Sequence, residues 1–156
     1  MIAIKHTITR KGTGFKPRQW RQMIKSAWRK AGEYWHGDIL ERHFTIAAMR
    51  EYHYAKRTRR YMIRKAQTFG HQRPLEFSGD LKREVMRTRD IRPDSKGAKI
   101  VLRVPAYKLR RTKGPNVELE LMRISRRDEQ DIAASIDQEL QTQIDQAKRL
   151  ETIHRG

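Results

Sequence analysis

No cysteine occurs among the 156 residues, which excludes disulfides, thiolate metal centres and thiol catalysis and fits a reducing compartment. Long apolar runs are missing too. The Met1–Ile8 segment is partly apolar but has neither a continuous apolar stretch nor a small-residue cleavage site, and nothing later approaches a membrane span. A soluble, unprocessed chain with no membrane partner is expected. Acids are scarce: 18 Asp and Glu stand against 36 Lys and Arg, for a formal net charge of +18. A field of that sign attracts polyanions and acidic partners alike. Hydrophobic residues make up only 37%, so a lone monomer has a modest core and burial between subunits is expected to supply the remainder. The length fits one domain over 1–156.

Catalytic signatures are also absent. The chain has no P-loop, dinucleotide fingerprint, Ser-His-Asp context or His-Glu-x-x-His. His36, His43, His53 and His71 match no helical metal pair or finger spacing, so they read as surface or packing residues. A metal-dependent nuclease needs converging carboxylates, and Glu41, Glu51, Glu76, Glu84 and Asp90 converge only if the fold assembles them. The expectation is a protein that is not an enzyme, with no cofactor and no metal.

What is present is unevenly charged. Residues 1–127 carry 33 Lys and Arg and 11 Asp and Glu, whereas 128–156 carry 3 and 7. An acidic tail that follows a basic body can lie on its own body or on a neighbour's, and the second option closes subunits head to tail into a ring.

Ile2, Ile4, His6 and Ile8 alternate with Ala3, Lys5, Thr7 and Thr9, predicting a first strand or extended arm over 1–10. Pro17 suits a first helical turn, and Trp20, Met23, Ile24, Ala27, Trp28 and Ala31 make one apolar helical stripe opposite Arg18, Arg21, Lys25 and Arg29. Gly32 is expected to end that helix, with Asp38 capping a short one through Phe44. A basic, half-buried helix is expected over 55–68, with Arg57, Arg60 and Arg64 beside a Tyr61–Met62–Ala66–Phe69 stripe and Gly70 as its stop. These arginines suit phosphates or a neighbour's carboxylates, against the plainer reading of a solvated face. Ser78 precedes a short helix from Asp80, and 85–92 reads as extended. A strand over 98–104 pairs with it across the Pro93–Gly97 turn. The basic loop from Tyr107 to Asn116, carrying Arg110, Arg111 and Lys113, is the expected DNA or partner contact. Residues 117–121 fit a third strand or a helix starting at Asn116 about equally. Ser125 and Asp128 form a capping-box pattern that opens a C-terminal helix over 125–153, with Ile132, Ile136, Leu140, Ile144 and Ala147 on one face and Asp131, Asp137, Glu139 and Asp145 elsewhere. The fold class expected is α+β: a small antiparallel sheet packed by an N-terminal helix, a central basic helix and a long C-terminal helix.

Arg42-His43-Phe44, the pair Tyr52 and Tyr54, Arg57-x3-Tyr61-x3-Lys65, Pro74-Leu75-x-Phe77-Ser78-Gly79-x-Leu81 and Glu120-Leu121-x2-Ile124-Ser125-x2-Asp128-Glu129 occur in that order. Together they resemble tail-completion and virion-morphogenesis proteins of tailed bacteriophages, over roughly half of the chain. The resemblance implies a structural subunit of the neck, assembled as a homo-oligomeric ring that joins head to tail in the virion, beside other neck and tail proteins, with packaged DNA as a candidate partner. Arg57, Arg60, Arg64, Asp131 and Glu139 are then candidate subunit contacts. The competing reading is a freestanding basic RNA- or DNA-binding protein of ribosomal character, for which charge and size also fit.

Overall fold

The computed structural model describes residues 2–5, 14–76, 78–87, 89–109 and 114–155. The described chain is α+β, with a three-stranded antiparallel sheet in the order β1-β3-β2. Strand β1 (Ile2–Lys5) pairs with β3 (Gly97–Leu102), setting Ile2 opposite Ile100, and β2 (Arg89–Pro93) pairs with β3 on its other side, setting Ile91 opposite Ile100. The expected hairpin is therefore present, closed by Asp94, whose carboxylate accepts from the Lys96 and Gly97 amides at 2.6 and 2.9 Å. Residues 6–10 of the expected arm lie outside the described residues.

Helix α1 (Pro17–Tyr34) is the spine. Its apolar stripe buries Met23, Ile24, Ala27, Trp28 and Ala31, and Trp28 is fully enclosed; Trp20 is half-buried against the same core. Gly32 does not end the helix. It sits inside α1 because the sheet comes too close for a side chain: a Cβ built there would lie 2.7 Å from Cγ2 of Ile91 and 3.6 Å from the Ala98 methyl. Nor does Asp38 start a new helix. The chain runs on through one π-helical turn (Trp35–Ile39) into α2 (Leu40–Arg42), burying Trp35, His36 and Ile39. His36 Nε2 lies 2.9 Å from the Val85 carbonyl, which can only accept, so the proton sits on that nitrogen.

Short helices follow: α3 (Ala48–Glu51), α4 (Arg59–Phe69) and α5 (Asp80–Arg87). The basic helix starts at Arg59 rather than near 55, because Thr58 caps it by accepting from the Tyr61 amide at 3.3 Å, and Gly70 ends it with φ 69°. Its only buried residue is Lys65, so α4 lies at the margin of the body. Residues 85–87, read as extended, belong to α5, where Val85 is a core residue. Part of the 107–116 loop is helical as well, in α6 (Ala106–Leu109).

The open choice over 117–121 falls to a helix, α7 (Val117–Leu121), started by Asn116 Oδ1 accepting from the Leu119 amide at 3.2 Å. Helix α8 (Arg126–Arg155) opens on a reciprocal capping box: Asp128 accepts from the Ser125 amide at 3.0 Å and Ser125 Oγ from the Asp128 amide at 3.2 Å. Its Ile132, Ile136 and Leu140 face packs on α1, while α1 meets β2 and β3 with other residues. The acidic helix thus docks on the body of its own chain. Among the described residues no helix is long and apolar enough to cross a membrane.

Candidate partner-binding pocket

Beyond the main core lies a smaller cluster around Ala48, Tyr52 and Tyr54, tied to the body by polar contacts. Asp128 is completely buried and receives Arg42 Nη1 at 2.9 Å, and the same nitrogen reaches Asp131 at 2.7 Å. Burial opposes the Arg42 charge, but the bond to Asp131 and the neighbouring negative charge hold its pKa above normal. The His43 ring, also fully buried, stacks on Tyr52 with centroids 3.9 Å apart and joins the Tyr54 hydroxyl through Nδ1. Burial pulls His43 down to about 4, against the Asp128 charge and the Glu120 backbone carbonyl, which favour its protonation. Burial also pushes both tyrosine hydroxyls up, helped at Tyr52 by Asp128 and at Tyr54 by Glu120.

The next contact holds the chain as it enters α4. Glu120 of α7 takes Arg57 in a two-point grip, at 3.0 Å to Oε1 and 2.5 Å to Oε2, and accepts the Ala55 amide at 3.2 Å. Their side chains are 13% and 4% exposed. Arg123 closes the preceding turn by donating to the Tyr52 carbonyl at 2.7 Å and to that of His53, whose φ is 49°.

Between α4, the 72–75 segment and the start of α7 lies a cavity of about 390 Å³. Its walls include Met49, Tyr61, Met62, Pro74, Leu75 and Val117, and its charged groups are Lys56, Arg57, Lys65 and Arg73. No carboxylate lines it among the described residues. Lys65, only 2% exposed, donates to the Arg73 carbonyl and sits 5.8 Å over the Tyr61 ring, which fixes 72–75 as the far wall. Leu75 is held there in a strained backbone: its φ is 58°, and the Glu76 amide turns back to the Pro74 carbonyl at 2.6 Å. Cations on an apolar lining suit an anionic occupant with an apolar body, and the volume falls within the ordinary size of a ligand pocket, roughly 300–1,000 Å³.

The candidates from the sequence divide as follows. Arg57 lines the pocket but is gripped by Glu120; Arg60 and Arg64 are exposed on α4 beside exposed Ile63. Asp131 pairs with Arg42, and Glu139 accepts Ser26 Oγ at 2.8 Å and Gln143 Nε2 at 2.9 Å, both inside the same chain. Arg110, Arg111 and Lys113 lie outside the described residues. Lys56 belongs to the same basic run as Arg57, and Glu120 to the Glu120-Leu121 motif, but Arg73 did not stand out in the sequence, and nothing local pairs Arg57 with Glu120. Among the described residues no group of three His, Asp or Glu side chains gathers as a metal site. Comparison with protein-family models, with curated proteins and with solved structures gives no match to this chain.

Proposed function

We propose that this chain is a structural subunit of the head–tail connection of a tailed bacteriophage, closed with identical copies into a ring that joins head to tail in the virion. One observation carries the reading. The residues of the resemblance, spread from Arg42 to Asp128, converge in space: Arg42 on Asp128, His43 on Tyr52 and Tyr54, Arg57 on Glu120, Lys65 on the 72–75 segment that holds Leu75. What they build is a rigid mount for α4 and the cationic pocket, a seat for an acidic, apolar segment of a neighbouring subunit.

The test is the mass in solution, by light scattering, of the purified chain alone and with head and tail neck proteins. A closed oligomer of one size is expected, and Lys56→Glu with Arg73→Glu should lose it while the circular dichroism stays unchanged. A persistent monomer that binds nucleic acid tightly and ignores virion proteins would instead establish the freestanding nucleic-acid binder, the reading favoured by exposed cations such as Arg59, Arg60 and Arg64 that make no ion pair among the described residues.

A further inference from the structure

A second cationic feature lies away from the pocket. Arg18, Arg21, Lys25 and Arg29 of α1 are all exposed, and none makes an ion pair or hydrogen bond among the described residues. Steps of three, four and four residues keep them within an arc of about 80° on a helix of 3.6 residues per turn, over a length of about 16 Å. The helix has no acid before Glu33. On the side facing α8, the Glu139 carboxylate accepts from Ser26 Oγ and Gln143 Nε2 rather than from the row. Like charges three and four residues apart repel, and no ion pair among the described residues offsets them.

We propose that this row is a docking track for the phosphate backbone of duplex DNA, bound without regard to base sequence. A straight, regularly spaced line of cations matches a polymer that carries one charge per ~3.4 Å along each strand. Two competing partners fit less well. Single-stranded nucleic acid is held on aromatic platforms, and the row carries no aromatic residue: Trp20 is turned to the core, and the highly exposed Tyr107 belongs to α6. Protein interfaces centre on apolar or aromatic anchors, whereas the arc holds no other exposed side chain, and the next beyond it is the polar Gln22.

The test is fluorescence anisotropy with a random-sequence duplex of about 25 base pairs over a range of NaCl concentrations, using the purified full chain, so the result does not depend on virion partners. Four row substitutions to Gln (R18Q, R21Q, K25Q, R29Q) should reduce the slope of log K against log salt by about 3 to 4, near 0.9 per phosphate contact. A variant that removes as many charges elsewhere (K56Q, R59Q, R60Q, R64Q) should keep the slope within about one unit, and R18K, R21K and R29K should keep it too. Equal losses in the two Gln variants, or none in the row variant at wild-type circular dichroism, overturn the proposal. So does tighter binding of single strands, or of polyglutamate with the same dependence on the row. The pocket variants leave this slope unchanged, so the track and the assembly reading fail separately.

Discussion

Lowering the pH tests the buried histidine directly. His43 is fully enclosed, stacked on Tyr52 and joined to Tyr54, and burial brings its pKa to about 4 from an ordinary 6.5. A histidine with a lowered folded pKa leaves the folded state binding fewer protons than the unfolded chain between those two values. Stability is therefore intact above about pH 6.5, falls as the pH drops through that window, and has lost its full share below about pH 4. At 1.36 kcal/mol per pKa unit the whole share is about 3 kcal/mol, and the part lost between pH 7 and pH 5 is about 2 kcal/mol. That is a large fraction of a domain's usual ~5–15 kcal/mol.

Urea unfolding followed by the fluorescence of Trp28 and Trp35, both wholly buried, reads the loss at each pH. His43→Asn removes the titration and keeps a polar atom at the position of Nδ1, facing Tyr54. Its own cavity cost does not vary with pH, so the difference between the two pH curves isolates His43. Asp80 and Asp90, held below the usual carboxylate range chiefly by hydrogen bonds from Ser78 and from Arg92 respectively, titrate beneath this window. Parallel curves for wild type and His43→Asn between pH 7 and pH 5 would refute the reasoning.

The remaining predictions concern the mounts of the pocket and of the sheet. Glu120→Gln leaves Arg57 buried without its counter-charge and should cost about 3 kcal/mol, while Arg57→Met with Glu120→Leu should recover most of it; a single substitution costing under about 1 kcal/mol would show the pair to be effectively solvated. Gly32→Ala should destabilise the fold despite the better helix propensity of alanine, because its methyl would meet Ile91 Cγ2 at 2.7 Å. Ile91→Leu removes that branch and should rescue Gly32→Ala in a double-mutant cycle, and simple additivity of the two would count against the close approach.

The legible parts of the fold are those whose cause is local. The Ser125–Asp128 box needs only residues three apart, and it opens α8 as its pattern predicts. The buried stripe of α1 and the alternation in β3 likewise follow from period alone. Gly32 misleads because a glycine has two uses: a helix stop is written in the neighbouring sequence, whereas a close approach to Ile91 is written 59 positions away. Residues 117–121 carry both periods at once, and the matter is decided by the Asn116 cap and by Glu120 turning inward to Arg57. For the pocket, the cations of 56–65 stand out at once, but nothing local pairs Arg57 with Glu120 or lays 72–75 against Lys65.

That pairing alters what the net charge means. Several of the few acids are spent inside the molecule: Glu120 and Asp128 are buried, Asp131 is half-buried on Arg42, and Glu139 bonds Ser26. Buried pairs of this kind fix geometry more than they add stability, since desolvation offsets most of the attraction. Their consequence lies outside. The carboxylates withdrawn inward no longer screen the surface, so the outward face is more lopsided than +18 over 156 residues suggests, and some of its exposed cations stand in rows on α1 and α4. The buried Glu120 and Asp128, with exposed cations in rows on α1 and α4, are what the two proposals of an anionic partner rest on, one for a pocket that would take an apolar anchor and one for a row that would follow a polymer.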